Sequence, residues 1–249
     1  MGIRLSPLMK SVFLRGRFPT GTFVKSWPIV HSASTAARVS SPLIGMVKRR
    51  VEFGREGEVM LELCSDDVLK KLLHGQSISD QSPWSSNDEG EIVGFYRAIC
   101  EDLCREFVLS SEIEWEDYGS GYASYIDAWF YRDNDRFKVS SSPECRGYTG
   151  LFVLFSRLSP YFVVGEGTKS WNVNGGGRSY LPSFELVDDF THQPVADLFG
   201  ELEPRLIQRG LVRLRKDDLG QLLPEDSRVP TILCDPPYRA FDALFHWAD

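Results

Sequence analysis

Residues 151–164 read LFVLFSRLSPYFVV, two apolar runs that break at Ser159-Pro160. Apolar runs of this length on either side of a proline-containing turn are typical of neighbouring strands. We therefore expect these residues to form strands of an antiparallel β-sheet.

Segments on both sides of these runs extend the predicted sheet. Tyr122–Tyr131 is dense in aromatic residues and is followed by a turn at Asp133-Asn134-Asp135 and by Phe137-Lys138-Val139, a pattern that predicts a hairpin. Tyr180–Val187 is predicted as a further strand of this sheet. Val59–Leu63, which precedes the first helix, is predicted as a short strand without an assigned place in the sheet. The sheet should hold about four to six strands, a common size.

Two glycine-rich stretches follow the central runs. Gly165–Ser170 is similar to a phosphate-binding loop, but Thr168 separates the glycine from the lysine that must follow it directly. The dinucleotide-binding pattern fails as well, because Ser170 stands in place of the last glycine. Glycine reaches positive φ at little cost, so this stretch and Asn174–Gly177 are predicted as turns between strands.

Helices are predicted before the sheet. Asp66–His74 has Ser65 as a capping residue and Gly75 as a stop. A second helix should begin at Asp88 and end near Ser110. Its apolar residues recur at helical spacing, at Ile92, Tyr96, Ile99, Leu103 and Phe107.

The last third of the chain is predicted to return to helix. One apolar stripe runs through Val195, Leu198, Phe199, Leu202 and Leu206. Pro204 should kink or restart this helix, and Gly210 should end it. In chain order there follow a short strand at Leu211–Leu214, a helix at Lys216–Leu223 and a strand at Val229–Cys234. The tail Ala240–Trp247 is so apolar that we expect it to dock into the core.

Charge divides the chain into two parts. Residues 1–50 hold nine Lys and Arg and no Asp or Glu, whereas residues 51–249 carry a net charge of −16. We predict that residues 51–249 form a single acidic α+β domain, a central mostly antiparallel sheet with flanking helices. The basic N-terminal extension has three interpretations, namely a disordered segment, a mitochondrial targeting segment or residues upstream of a misassigned start.

The acidity of residues 51–249 limits the classes of partner. A surface of this sign is repelled by phosphate backbones and by anionic lipid, so neither nucleic acid nor a membrane is an expected partner. It attracts basic proteins, although acidity can also serve solubility alone. No run approaches the ~20 apolar residues that a membrane-spanning helix needs.

The cysteines and histidines predict neither a metal site nor a disulfide framework. The five cysteines form no C-x-x-C pair, which favours a reducing compartment. The four histidines are scattered, without a spacing typical of zinc ligands or of a nucleophile's base. The sequence therefore indicates no catalytic residue, no metal ligand and no cofactor.

The most enzyme-like motif is Asp235-Pro236-Pro237-Tyr238. In S-adenosylmethionine-dependent amino-methyltransferases, a similar motif follows a strand, and its acidic group accepts from the target amino group. Such enzymes also need a glycine-rich cofactor loop and sheet on both sides of the motif, whereas only eleven residues follow Tyr238. We interpret the motif as a rigid corner that ends a strand.

A second notable segment is acidic and aromatic. Its residues are Glu112, Glu114, Trp115, Glu116 and Asp117, with Ile113 and Tyr118. One interpretation is an edge strand whose alternate acids face water and block pairing. The other is a binding site for a basic protein, with aromatic anchors in an acidic field.

Several stretches resemble small uncharacterised bacterial proteins of the toxin-immunity kind. They are residues 124–130, 158–164, 229–233 and 241–249. The resemblance implies a non-enzymatic cytoplasmic protein that neutralises a cognate toxin by occluding it. The alternatives are an amino-methyltransferase built around Asp235–Tyr238 and, if residues 1–50 are a transit peptide, a mitochondrial location.

Overall fold

The structure, a computed structural model, describes residues 65–248 apart from residue 143; of residues 140 and 141 it describes the backbone alone. The helices are α1 (Asp66–Leu73), α2 (Glu89–Phe107), α3 (Gln193–Gln208), α4 (Lys216–Leu219) and α5 (Ala240–Leu244). The strands are β1 (Ser110–Glu114), β2 (Tyr122–Ala123), β3 (Tyr125–Tyr131), β4 (Lys138–Ser142), β5 (Cys145–Ser156), β6 (Tyr161–Asn172), β7 (Gly177–Arg178), β8 (Val212–Arg213) and β9 (Trp247–Ala248). The basic segment 1–50 and the predicted strand Val59–Leu63 lie outside the described residues.

Seven of these strands form one mostly antiparallel sheet in the order β1-β3-β5-β6-β7, in which β4 also pairs with β5 and β8 runs parallel to β6. The predicted α+β class with a central antiparallel sheet is confirmed. The apolar residues 151–155 and 162–164 lie in β5 and β6 and are buried on both faces. Their side chains therefore hold two layers of structure against the sheet.

The predicted hairpin between Tyr122–Tyr131 and Phe137–Val139 is wrong. Strand β3 pairs with the second half of β5 and β4 pairs with its first half, on the same side of β5. Strand β5 is long enough to pair with both β3 and β4. The turn at Asp133-Asn134-Asp135 therefore connects two strands that lie one after the other along the same side of β5. The side chain of Tyr148 holds this turn, since its hydroxyl donates to Asp133 at 2.5 Å.

One face of the sheet, which we call the helix face, carries Ile126, Val153 and Phe155 and is covered by α2 and α3. Helix α2 begins where predicted, with the Asp88 carboxylate accepting from the backbone N–H of Glu91 at 2.9 Å. On its buried stripe, the ring of Tyr96 stacks on Phe155 at 4.7 Å.

Helix α3 is one continuous helix through Pro204, so the predicted restart does not occur. The proline removes a backbone donor that would pair with the carbonyl of the exposed Gly200. The buried stripe continues on the other side, with Leu202 and Leu206 fully buried. Burial of this stripe outweighs one lost hydrogen bond at the solvent side.

Gly165 and Gly167 lie within β6, so the predicted turn over Gly165–Ser170 is wrong. A Cβ on Gly165 would lie 2.1 Å from the carbonyl oxygen of Leu186, and one on Gly167 would lie 2.4 Å from the ring of Tyr180. These glycines allow a close approach of another segment, a use that sequence alone does not distinguish from a turn.

That segment, Tyr180–Val187, is not the predicted strand. It follows β6 through one hydrogen bond, from the Tyr180 N–H to the Thr168 carbonyl, and one bridge between Gly165 and Val187. A 3₁₀ turn at Phe184–Leu186 interrupts it. The predicted turn at Asn174–Gly177 is confirmed in the connection between β6 and β7, where Gly175 and Gly176 have positive φ.

The C-terminal tail docks as predicted, onto the opposite face of the sheet, which we call the tail face. Tyr125 on this face meets the ring of Phe245 at 6.3 Å, and β9 pairs with β2. The segment leading to the tail, Val229–Cys234, is not a strand, and the helix predicted at Lys216–Leu223 ends at Leu219. The short strand predicted at Leu211–Leu214 is present as β8.

Candidate functional site

The acidic segment of residues 112–117 lies at one edge of the sheet. Glu112 and Glu114 belong to β1, which among the described residues pairs with β3 alone. In the register of this pair, Glu112 is opposite Trp129 and Glu114 is opposite Asp127. Directly opposed residues share a face, so both glutamates lie on the tail face. The position at a sheet edge, which the first of the two interpretations required, is confirmed for the described strands.

Glu112 forms an ion pair with Lys169, whose Nζ lies 3.5 Å from its carboxylate. The lysine ammonium also lies over the rings of Trp129 and Tyr180, at 5.2 and 5.4 Å from their centroids. Two aromatic faces and a carboxylate thus surround a largely covered cation. The charge of Glu112 is consequently partly neutralised within the protein.

Asp117 faces the interior of the protein through Arg157. The guanidinium of Arg157, whose side chain is 4% exposed, lies 3.1 Å from Asp117, also pairs with Glu89 and donates to the Trp115 carbonyl at 2.9 Å. Asp117 additionally accepts from the backbone N–H of Ala123 at 3.1 Å. Arg157 therefore ties the acidic segment to the start of α2, and the carboxylate of Asp117 serves this link.

Glu114, Trp115 and Glu116 complete the segment: Glu116 is exposed, whereas Glu114 and Trp115 are half-buried and the Trp115 ring packs against the core. The Glu114 carboxylate accepts from the backbone N–H of Glu116 at 2.9 Å, and the Arg97 guanidinium lies 4.6 Å from the centroid of the Trp115 ring. Within the part of the chain that the structure describes, neither Glu114 nor Glu116 pairs with a lysine or arginine. Two unpaired carboxylates therefore bracket an indole that is held in place.

Behind this edge lies a buried polar cluster that sequence reasoning missed. Asp127 is buried on the tail face, where its carboxylate accepts from the hydroxyls of Tyr118 at 3.0 Å and Tyr180 at 2.5 Å. Burial raises the pKa of Asp127 above its ordinary value, while the nearby Lys169 and the two hydroxyl donors oppose this shift. These residues come from distant segments, so no sequence spacing could have indicated the cluster.

Replacing Asp127 by asparagine should change how stability depends on pH. At pH values well below about 3.8 the carboxyl is protonated in both states. As the pH rises past that value the unfolded chain releases its proton first, so the wild-type protein loses stability until the folded carboxyl ionises too. Asparagine does not titrate and can still accept from Tyr180 and donate to the Tyr118 oxygen.

We therefore expect the free energy of unfolding of Asp127→Asn to increase relative to that of the wild type as pH rises. Urea denaturation at several pH values measures this difference. Asp80→Asn, which alters an exposed carboxylate in the loop after α1, is the matched control. A difference that shrinks with rising pH in Asp127→Asn would contradict this account.

The motif Asp235-Pro236-Pro237-Tyr238 forms an exposed corner before α5. Asp235 and both prolines are exposed, and the carbonyl of Tyr238 accepts from the N–H of Leu223 at 2.8 Å. The Sγ of Cys234 donates to Asp242 at 3.3 Å, which joins the corner to the helix. The motif follows an irregular segment rather than the strand that an amino-methyltransferase places before it.

Two kinds of feature are absent from residues 65–142 and 144–248, clustered metal-ligand side chains and membrane-spanning helices. No group of three or more His, Cys, Asp or Glu side chains in this region is arranged to hold a metal ion. No helix in it combines the length and apolar character needed to span a bilayer. Comparisons of the chain with protein-family models, curated proteins and solved structures find no match.

Proposed function

We propose that this protein is a non-enzymatic binding protein of the immunity type, which neutralises a basic toxin in the cytoplasm by occluding it. The observation that carries the proposal is the pair of carboxylates on either side of Trp115, Glu114 and Glu116, which lie at the edge of the sheet and form no ion pair with another described residue. Tryptophan is enriched among residues that dominate binding energy, and surrounding charges favour a partner of opposite sign.

The charge of the domain supports the same kind of partner. Residues 51–249 carry a net charge of −16, which would draw a basic protein toward this surface over several ångströms and raise the association rate at low salt. Nothing in the geometry favours the amino-methyltransferase alternative, since Asp235 is exposed at a corner that no strand precedes.

The proposal is tested with the product of the gene adjacent to this one. Co-expression should relieve any growth inhibition by that product, and the two purified proteins should form a complex that weakens as salt rises. If the adjacent product is not inhibited and does not bind, the immunity function is overturned.

The double variant Glu114→Gln/Glu116→Gln should weaken this complex about tenfold, or about 1.4 kcal/mol, in calorimetry, because two unpaired charges at the interface are lost. Glutamine at position 114 would keep an oxygen that can accept from residue 116, so the local structure should persist. The matched control is Glu225→Gln/Asp226→Asn, which removes two exposed carboxylates from the loop that follows α4. If both variants weaken the complex equally, binding depends on the net charge of the protein and not on this edge.

A further inference from the structure

Strand β1 is regular, and on the side away from β3 it has no partner strand among the described residues. Its five residues pair with β3 without a register shift, whereas β4 has an irregularity between Lys138 and Ser140. An antiparallel strand directs the N–H and C=O groups of alternate residues to opposite sides. Half of the backbone groups of β1 therefore point away from β3, where a further strand could pair with them.

The side chains of β1 determine which residue types such an added strand should carry. Glu112 and Glu114 lie on the tail face, and Ile113 between them lies on the helix face, opposite Ala128. A strand added beside β1 would place alternate residues next to the two glutamates. Lysine or arginine at those positions would be attracted, and an apolar residue between them would adjoin Ile113.

A second copy of this chain is a poor occupant of the same edge. Pairing of β1 with its own copy, in either direction, would bring Glu112 and Glu114 close to the same acids of the other copy. Like charges on neighbouring strands are destabilising. The acids thus disfavour self-association through this edge while leaving it open to a basic strand.

We propose that the partner binds by adding an extended segment to β1, with basic residues at alternate positions and apolar residues between them. This inference rests on the proposed function and deepens it, because it specifies the backbone pairing that the acidic edge would guide. Main-chain hydrogen bonds would supply affinity, and the alternating charges would fix the register.

The test uses the full chain and a short labelled peptide in which lysine alternates with valine. Binding is followed by fluorescence anisotropy and by hydrogen exchange of the amides in β1. We expect saturable binding and slower exchange within residues 110–114. A peptide of the same composition with its lysines grouped at one end should bind about tenfold more weakly.

Two further probes separate backbone pairing from attraction of charge. A peptide of the same sequence with all internal nitrogens methylated keeps its charge but cannot donate main-chain hydrogen bonds, and it should bind at least about tenfold more weakly. Glu114→Lys should reduce binding of the lysine peptide and permit binding of a peptide in which glutamate replaces lysine.

The outcomes distinguish this inference from the function on which it rests. If the methylated peptide binds as well as the original and exchange in β1 does not slow, strand addition is overturned while recognition of a basic partner stands. If neither peptide binds but the adjacent gene product does, the partner uses another geometry and strand addition is likewise overturned. If nothing basic binds, both proposals fall.

Discussion

Replacing Trp247 by alanine should lower the free energy of unfolding by about 3–5 kcal/mol, the cost typical of deleting a large buried aromatic side chain. Trp247 is 6% exposed, its ring lies 4.6 Å from that of Tyr118, and its indole N–H donates to the Ser120 carbonyl at 3.1 Å. The alanine variant would leave a cavity between the tail and the sheet, together with a carbonyl that has lost its donor.

Urea denaturation of the alanine variant measures this loss, and Asp235→Ala is its control. Asp235 is exposed, and exposed substitutions usually change stability by no more than about 0.5 kcal/mol. A loss at Trp247 as small as the one at Asp235 would mean that the tail contributes little to the stability of the sheet.

Gly165→Ala should destabilise the protein by about 3 kcal/mol, the upper part of the range for overpacking. The added Cβ would lie 2.1 Å from the Leu186 carbonyl oxygen and 2.5 Å from the Phe152 ring. Neither neighbour is the end of a flexible side chain, because one is backbone and the other is a ring in the buried core. Either β6 or the segment beside it must therefore move.

The matched control for this substitution is Gly200→Ala. Gly200 is exposed in α3, and nothing lies within 4 Å of the position of its missing Cβ. Alanine in an exposed helix is favoured over glycine by about 1 kcal/mol, so this variant should gain stability. Thermal unfolding compares the two, and destabilisation by both would point to a general intolerance of glycine replacement rather than to the contact at Leu186.

Helices that carry their own boundary residues were predictable from sequence. Asp88 caps the start of helix α2 as expected, and Ile92, Tyr96 and Ile99 of its predicted stripe are buried. Its periodicity is local, as is the apolar character that predicted docking of the tail. Both predictions depend on residues that lie within about one helix or strand of each other in the chain. Over that range the spacing of apolar residues predicts structure directly.

Strand pairing was less predictable, because it depends on partners that lie far apart in sequence. The turn at Asp133–Asp135 has the composition of a hairpin turn, yet β5 pairs with the segments on both sides of it. The length of β5 decided this arrangement. The structural role of glycine was also ambiguous in the sequence, because Gly165 allows the close approach of another segment whereas Gly175 lies in a turn.

The candidate site was predictable in part for the same reason. The alternation of acids predicted that Glu112 and Glu114 would lie on an edge strand, and they do. Arg157 was not predicted, because its contacts with Glu89 and Asp117 cross distant parts of the chain. Asp117 points inward because it pairs with the Arg157 guanidinium, whereas Glu116 points outward. The sequence alone does not distinguish these two acids, because Arg157 lies far from them in the chain.

The joining of β2 to β9 has a consequence for the order in which the protein folds. Ser124 bonds to Leu244 and His246, residues 120 and 122 positions away, whereas β5 and β6 are neighbours in the chain. Closing a long loop costs more conformational entropy than closing a short one, so pairings between neighbours form earlier. The β5–β6 ribbon can therefore organise first and the tail last.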